Sequence, residues 1–152
     1  MVGVVVEFVD GASLLMNEVL GLYDAVGWTA YTADPATLSR ALAGSHRIVA
    51  ARDEGQLVGL ARSVSDGETI VYIQDILVHP SHQRRHIGQH LVSRLLEAYP
   101  NVRQRVLLTD SESGQRAFYE SLGFVETHDF TPPLRSFVRF VPSAGSEAPQ
   151  GS

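Results

Sequence analysis

The stretch that decides the fold is QDILVHPSHQRRHIGQHL, residues 74–91. It begins as an apolar strand that stops before Pro80, continues as a polar, basic turn and opens a helix near Gly88. Backbone N–H groups at a helix N-terminus lack partners within the helix and carry the positive end of its dipole. The adjacent Arg84 and Arg85 add bidentate phosphate donors. The stretch therefore predicts an anion site between a strand and a helix, with a connecting loop of solvated arginines as the alternative.

Around this stretch, hydrophobic periodicity predicts a mixed order of strands and helices. Strands are predicted at residues 2–9, 47–52, 56–64, 69–78, 105–109, 124–128 and 136–141. Helices are predicted at residues 12–26, from Asp34-Pro35 onward, at 87–99 and at 114–122. A helix lies between the strands that end at Val78 and begin at Arg105, so these two strands are expected to be parallel. The order indicates an α/β (α+β) fold.

Length and composition indicate how many domains the chain forms and which classes of partner are excluded. The 152 residues fit one domain, residues 1–141, followed by a small, polar tail, residues 142–152, that is expected to be disordered. A net charge of −5 argues against a nucleic-acid partner. The longest apolar run, residues 2–9, is far shorter than the ~20 residues that span a bilayer, and no basic residue precedes it as in a secretory signal. We therefore expect a soluble protein without a membrane partner.

The chain contains no cysteine, and all twelve of its Lys and Arg residues are arginine. The lack of cysteine excludes thiolate metal sites and a cysteine nucleophile, and it fits a cytoplasmic location. The six histidines show no spacing that is typical of a metal site, so no metal is expected.

Two segments resemble a known family. Val78-x-Pro80-x-x-Gln83-x-x-x-Ile87-Gly88 is similar to the acetyl-CoA signature of the GCN5-related N-acetyltransferases (GNAT), usually written Gln-x-x-Gly-x-Gly/Ala. AFYESLGF, residues 117–124, is similar to the family's Phe-Tyr-x-x-Leu-Gly-Phe element, and the resemblance extends from about residue 4 to residue 141. His86 stands where the family's first glycine is usual, which carries a steric penalty if that position needs a positive φ.

The resemblance implies the GNAT fold, in which a mostly antiparallel, twisted sheet with a central, splayed parallel strand pair is flanked by about four helices. It also implies acetyl-CoA as the acyl donor. Its pantetheine arm would pair with the backbone of the strand before Pro80, its pyrophosphate would lie on the turn, and a backbone N–H near Leu77 would polarise the thioester carbonyl. The residues implied in binding it are Ile76, Leu77, Val78, Gln83, Arg84, Arg85, His86, Ile87, Gly88, Gln89 and Phe118.

For catalysis, the resemblance implies that Tyr119 is the general acid that protonates the departing CoA thiolate. Asp75 lies on the cofactor strand, where its side chain is expected to face the acceptor and to act as a base, hold an ammonium group or relay a proton through water. His79 and His82 are alternative bases with suitable pKa, although a structural role is favoured for His79. Without a cysteine, the amine is expected to attack the thioester directly in a ternary complex.

Tyr23, Trp28 and Tyr31, together with Asp75, are the predicted acceptor-binding residues, because the family's acceptor site has a wall in this region. Aromatic faces attract ammonium groups; the alternative is that these rings only join two helices in the core. The segment around Trp28 is similar to a bacterial, small-amine branch of the family. The leading expectation is acetyl transfer to a small primary amine. Acetylation of a protein N-terminus or lysine and a catalytically silent CoA sensor are the alternatives. Homodimers are common in the family, although no feature of the sequence requires one.

Overall fold

The computed structural model describes residues 3–142, and this part of the chain contains five strands and five α-helices. In chain order they are β1 (Val4–Val9), α1 (Met16–Ala25), α2 (Thr29–Thr32), α3 (Pro35–Gly44), β2 (Arg47–Asp53), β3 (Gln56–Ser65), β4 (Ile70–Val78), α4 (Ile87–Leu96), β5 (Gln104–Leu107) and α5 (Gln115–Ser121). Short 3-10 turns lie at Gly11–Ser13, Pro80–His82 and Thr127–Asp129. None of the helices in residues 3–142 combines the length and the apolar character that crossing a membrane requires.

The five strands form one sheet in the order β1-β2-β3-β4-β5. All neighbouring pairs are antiparallel except β4 and β5, which are parallel. The mixed α/β fold and the predicted parallel pair are thus confirmed. The β4–β5 pairing ends at Ile73 and Leu107, but β4 continues to Val78. Residues 74–78 therefore leave one backbone edge of β4 unpaired by β5.

The sheet is the middle of three layers. Alternate residues of a strand face opposite sides, so β2 packs Val49 and Ala51 with α4, and Ile48 and Ala50 with α1 and α3. Each fully buried aliphatic side chain contributes roughly 1.5–3 kcal/mol to folding. Because both faces are covered, β2 and β3 have nearly continuous apolar sequences.

The predicted start of the helix at Asp34-Pro35 is confirmed by its capping contact. Asp34 accepts a hydrogen bond from the Thr37 N–H at 3.2 Å, and Pro35 is the first residue of α3. The first helix, however, begins at Met16 and not at residue 12, because Asp10 caps a separate turn by accepting from the Ala12 N–H. The short helix α2 was not predicted from the sequence.

The last two predicted strands, residues 124–128 and 136–141, are absent from the described residues. Residues 127–129 form a 3-10 turn, in which Asp129 pairs with Arg116 at 2.6 Å. Residues 136–141 have the composition of a strand but no neighbouring strand in residues 3–142, and β-propensity forms a sheet only where a partner is available. The parallel pair therefore lies at the edge of this sheet and not at its centre. The predicted tail lies outside the described residues, apart from Pro142.

A buried ion pair joins α1 and α2 to the sheet. Arg62 on β3 donates from Nε to Asp75 Oδ2 on β4 at 2.5 Å, and the two residues are 7% and 0% exposed. The hydroxyls of Tyr23 on α1 and Tyr31 on α2 donate to the same carboxylate at 3.0 and 2.9 Å. Burial, reinforced by the neighbouring Asp75 charge, raises the pKa of both tyrosines, so both stay protonated donors at neutral pH. The carboxylate thereby accepts hydrogen bonds from three protein donors.

We expect Asp75→Asn to lower the free energy of unfolding by about 3–5 kcal/mol, because it leaves the Arg62 charge buried without a counter-charge. Tyr31→Phe removes one hydrogen bond and should cost about 1 kcal/mol. The exposed Asp24→Asn change is the matched control, with an effect within about 0.5 kcal/mol. Urea unfolding followed by the fluorescence of Trp28, the single tryptophan, measures all three. An Asp75→Asn loss no larger than that of the control would show that the pair does not stabilise the fold.

Candidate active site

A groove of about 680 Å³ opens where β4 extends beyond β5. Its walls are the end of β4, the turn and first residues of α4, the loop after β5, and α5. The lining residues are Val26, Trp28, Ile76, Leu77, Val78, His82, Gln83, Arg84, His86, Ile87, Gly88, Gln89, Asp110, Glu112, Gln115, Phe118 and Tyr119. Of the residues predicted to bind the cofactor, all line this groove except Arg85.

The turn before α4 has an unusual backbone. Arg84 and His86 adopt φ values of +63° and +61°, in the left-handed region. His86 therefore does occupy a position that favours glycine, which costs about 1–2 kcal/mol for a residue with a side chain. Its Nδ1 lies 3.0 Å from Gln89 Oε1, within hydrogen-bond distance, so the ring folds back over the first turn of the helix. A histidine thus adopts here the left-handed backbone conformation that favours glycine.

Gly88 permits a close contact between α4 and α5. A Cβ built on Gly88 would lie 3.3 Å from Cζ of Phe118 and 4.0 Å from Cγ2 of Val78. Because no side chain intervenes, the Phe118 ring packs directly on the first turn of α4 and forms one side of the groove. The Phe118 ring in turn contacts Tyr119 edge-on, with centroids 4.9 Å apart.

Tyr119 is the titratable group with the most altered pKa in the groove wall. Burial raises its pKa to about 12; the Asp110 charge adds to this, and a hydrogen bond from Thr109 opposes it. The phenol is therefore protonated throughout the neutral range. At this position it can donate a hydrogen bond but does not serve as a base.

The position of Asp75 corrects the prediction for its side chain. The carboxylate is 0% exposed, is not part of the groove wall, and accepts hydrogen bonds from Arg62, Tyr23 and Tyr31. It therefore does not face an acceptor in the groove. The Asp75 side chain lies on the face of β4 that α1 and α2 cover, whereas the edge of residues 76–78 borders the groove.

The two alternative bases differ in their surroundings. His79 Nδ1 accepts a hydrogen bond from the Ser81 N–H at 3.1 Å and caps the turn at Pro80–His82. This contact supports the structural role that is favoured for His79. His82 lines the groove, but its Nε2 lies 2.7 Å from Asp53 Oδ2 and its Nδ1 lies 2.7 Å from Ser81 Oγ. Both of its ring nitrogens are thus already engaged.

The three predicted acceptor aromatics form one cluster. The ring centroid of Tyr23 lies 5.8 Å from that of Trp28 and 5.1 Å from that of Tyr31, and the ring centroids of Trp28 and Tyr31 are 6.1 Å apart. Only Trp28 lines the groove; Tyr23 is fully buried. Tyr23 therefore anchors the Asp75 network inside the core, which corrects the prediction that it contacts the acceptor. Tyr31 is half-buried and lies outside the groove wall, and its role in binding an acceptor stays a prediction.

Sequence reasoning missed the acidic side of the groove. Asp110 and Glu112 are exposed and line it beside Tyr119, opposite the basic turn that carries Arg84. Their loop has no periodic pattern, which is why they were not identified. Their position after a parallel strand could have identified them, because ligands bind at the carboxyl ends of parallel strands.

One further cluster of side chains could hold a cation within the described residues. Glu126, His128 and Asp129 place one ligand atom each within 4.8 Å of one another, but all three are exposed and none lines the groove. Arg116 pairs with Glu126 at 3.3 Å and with Asp129 at 2.6 Å, so its guanidinium already neutralises the carboxylates of this cluster.

Comparisons with known proteins agree with this geometry. The family described as "Acetyltransferase (GNAT) domain" matches residues 44–126, a little over half of the chain. The L-amino acid N-acyltransferase MnaT of Escherichia coli is 31% identical over 133 residues, which cover 79% of this chain and 76% of that protein. The PanD regulatory factor of Salmonella typhimurium is 30% identical over 105 residues, 67% of this chain and 79% of that protein.

Among solved structures, the GNAT family acetyltransferase SP0256 of Streptococcus pneumoniae superposes with a TM-score of 0.77. It is 31% identical, and the match covers 92% of this chain and 99% of that one. The family match covers more than half of the sequence, including the turn before α4, and the structural match covers 92% of the chain. The chain belongs to the GNAT family of N-acetyltransferases.

Proposed function

We propose that this acetyltransferase transfers an acetyl group from acetyl-CoA to a primary amine of a small molecule, by direct attack within a ternary complex. The observation that carries the proposal is the groove itself, which joins a positively polarised helix N-terminus to a protonated phenol. In an acyl-CoA the pantetheine arm joins a pyrophosphate to the thioester, and these are the two groups that such a groove would bind.

The residues at the basic end fit the pyrophosphate. The first N–H groups of α4 have no partners within the helix, and Arg84 lines the groove at the same end. The edge of β4 at residues 76–78 is unpaired by β5 and would bond the amide groups of pantetheine, although Val78 O already accepts a hydrogen bond from Gln83 Nε2 at 3.3 Å. The Phe118 ring would cover the thin arm between the two ends.

Tyr119 would stabilise the departing sulfur. When the amine nitrogen attacks the thioester carbonyl carbon, a C–N bond forms, the C–S bond breaks and negative charge develops on sulfur. A phenol of pKa about 12 is a weaker acid than a thiol of pKa about 8.5, so complete proton transfer would cost roughly 4–5 kcal/mol. We therefore assign Tyr119 as a hydrogen-bond donor to the thiolate. The proton that finally neutralises the sulfur comes from the attacking amine.

The acceptor end favours a cationic amine. Trp28 supplies an aromatic face, and Asp110 and Glu112 supply negative charge. Because Asp75 is occluded, the ammonium would lose its proton to water or through a groove carboxylate, and turnover should rise with pH as the amine becomes neutral. A single aromatic face at Trp28 suits a small amine, which is why we place protein acetylation second.

A different class of function is supported by one relative. The PanD regulatory factor is named for regulation, and its similarity to this chain together with the strained His86 favours a CoA-binding sensor as the second candidate. The two candidates differ in one measurable property, because a sensor binds acetyl-CoA but releases no thiol with any amine.

Tyr119→Phe should lower kcat about 100-fold with a good amine and leave the Kd for acetyl-CoA within about twofold, because the hydroxyl acts on charge that exists only in the transition state. Thiol release measures kcat and calorimetry measures Kd. Tyr72→Phe, a tyrosine of β4 outside the groove wall, is the matched control and should keep full turnover. Full turnover by Tyr119→Phe would refute its role, and binding without release by the wild-type chain on a broad amine panel would favour the sensor.

Arg84 and Arg85 are neighbours in sequence, but only Arg84 lines the groove. Arg84→Gln should raise the Kd for acetyl-CoA about tenfold or more, since a charge-assisted hydrogen bond contributes about 1.5–3 kcal/mol. Arg85→Gln keeps the same change of charge and should alter the Kd less than twofold. Equal effects of the two changes in calorimetry would mean that the turn acts only through its net charge.

Asp110→Asn and Glu112→Gln should each raise KM for a cationic amine up to about fivefold, because each removes an exposed charge pair of about 0.2–1 kcal/mol. The Kd for acetyl-CoA should not change, and the effect on KM should shrink at high salt. Glu97→Gln removes an exposed carboxylate outside this groove and serves as the control. Unchanged KM in both groove variants would remove the argument for a cationic acceptor.

A further inference from the structure

A contact between two distant segments reaches the turn before α4. Asp53, the last residue of β2, places its Oδ2 2.7 Å from Nε2 of His82, which lies in the turn that follows β4. The Asp53 side chain is 29% exposed and that of His82 is 15% exposed, so the contact is partly shielded from water. Because a carboxylate only accepts hydrogen bonds, Nε2 of His82 is the donor. The end of β2 is thereby joined to the turn.

The His82 ring is also held at its other nitrogen. Its Nδ1 lies 2.7 Å from Oγ of Ser81, and the Ser81 N–H donates to Nδ1 of His79 at 3.1 Å. The His79 N–H in turn donates to the Val58 carbonyl of β3 at 2.7 Å. This series of contacts fixes the ring between the sheet and the turn.

The backbone that follows His82 is strained. Arg84 and His86 have φ values of +63° and +61°, a region that residues with side chains rarely adopt. Such a conformation persists only where the surrounding structure holds it. The turn therefore needs a contact with a rigid part of the fold.

Few contacts can hold this turn. The side chains of residues 83 and 86 reach only to the ends of β4 and α4 that flank it. In the part of the chain that the structure describes, no hydrogen bond or ion pair joins residues 83–86 to any other element. His82 is next to this segment in sequence, and its bond to Asp53 is the nearest contact with a separate strand.

We infer that Asp53 and His82 form a positioning pair, which holds residues 83–86 in the shape that binds the pyrophosphate of acetyl-CoA. The inference rests on the proposed function, because that function places the pyrophosphate at this turn. Loss of the pair should release the strained residues and weaken the binding of acetyl-CoA. The rate of the bound complex should not change, because neither side chain takes part in the chemical step.

The sign of the effect separates positioning from simple electrostatics. Asp53→Asn removes a negative charge beside a residue of an anion-binding groove, so charge alone predicts tighter binding of acetyl-CoA. Positioning predicts weaker binding: the Kd, measured by calorimetry, should rise about fivefold, while kcat at saturating acetyl-CoA stays within about twofold. A Kd that is unchanged or lower, or a kcat that falls without a change in Kd, would overturn the inference.

Glu18→Gln is the matched control. Glu18 has the same exposure as Asp53, 29%, and pairs at 3.0 Å with Arg52 of the same strand. The control removes the same charge without a contact to the turn, so the Kd should stay within about twofold of wild type. His82→Ala removes the other half of the pair, and combining it with Asp53→Asn should raise the Kd no further than either change alone. Fully additive effects would contradict a shared role.

Trypsin tests the shape of the turn without any ligand. The protease cuts after arginine, and Arg84, Arg85 and Arg135 are all exposed. Cleavage after Arg84 and Arg85, followed by mass spectrometry, should be about fivefold faster in Asp53→Asn than in wild type, because a released turn opens more often. Cleavage after Arg135 is the internal reference and should not change.

Equal cleavage of the turn in the two proteins would refute the positioning pair. If the wild-type protein bound no acetyl-CoA, the proposed function would fail, and the cleavage rates would still decide whether the pair holds the turn. If wild type bound acetyl-CoA and Asp53→Asn bound it equally well, the inference would fail and the proposed function would stand.

Discussion

The groove depends on the point at which the pairing between β4 and β5 ends. Their parallel pairing stops at Ile73 and Leu107, yet β4 runs on to Val78 and leads directly into the turn before α4. The divergence creates the groove and leaves backbone free along one of its sides. It also brings the N-terminus of α4 and the side chain of Tyr119 to the same opening. A β5 strand that paired with the whole of β4 would leave no space for a ligand.

Through Asp75, the same segment of β4 also holds α1 and α2 against the sheet. Its carboxylate, held by Arg62, Tyr23 and Tyr31, joins the first two helices to the sheet and thereby positions Trp28 at the groove. One strand thus serves two functions: its backbone edge borders the groove, and its buried Asp75 anchors the helices next to Trp28. Asp75, which the sequence predicts to face the acceptor, is instead buried and joins helices to the sheet.

The sequence was sufficient to predict the elements whose signals are local. Asp34-Pro35 marked the start of α3, and the signature turn at residues 83–88 marked the ligand groove. Whether a side chain such as Asp75 faces a cavity or the core depends on the partners that helices α1 and α2 bring, and these contacts are distant in sequence. For residues 136–141 the composition predicted a strand, and this prediction was wrong because a strand also needs a neighbouring strand, which residues 3–142 do not supply. Asp110 and Glu112 were missed because an irregular loop has no periodicity to detect.

The central claim is that the groove beside β4 binds acetyl-CoA. Calorimetric titration of the wild-type protein with acetyl-CoA, paired with amide exchange of the same complex, tests it most directly. The account predicts saturable, sub-millimolar binding with new protection at residues 76–78 and 84–89, where the free backbone edge and the helix N-terminus lie. Absence of binding, or binding that protects other segments and leaves these unchanged, would contradict it.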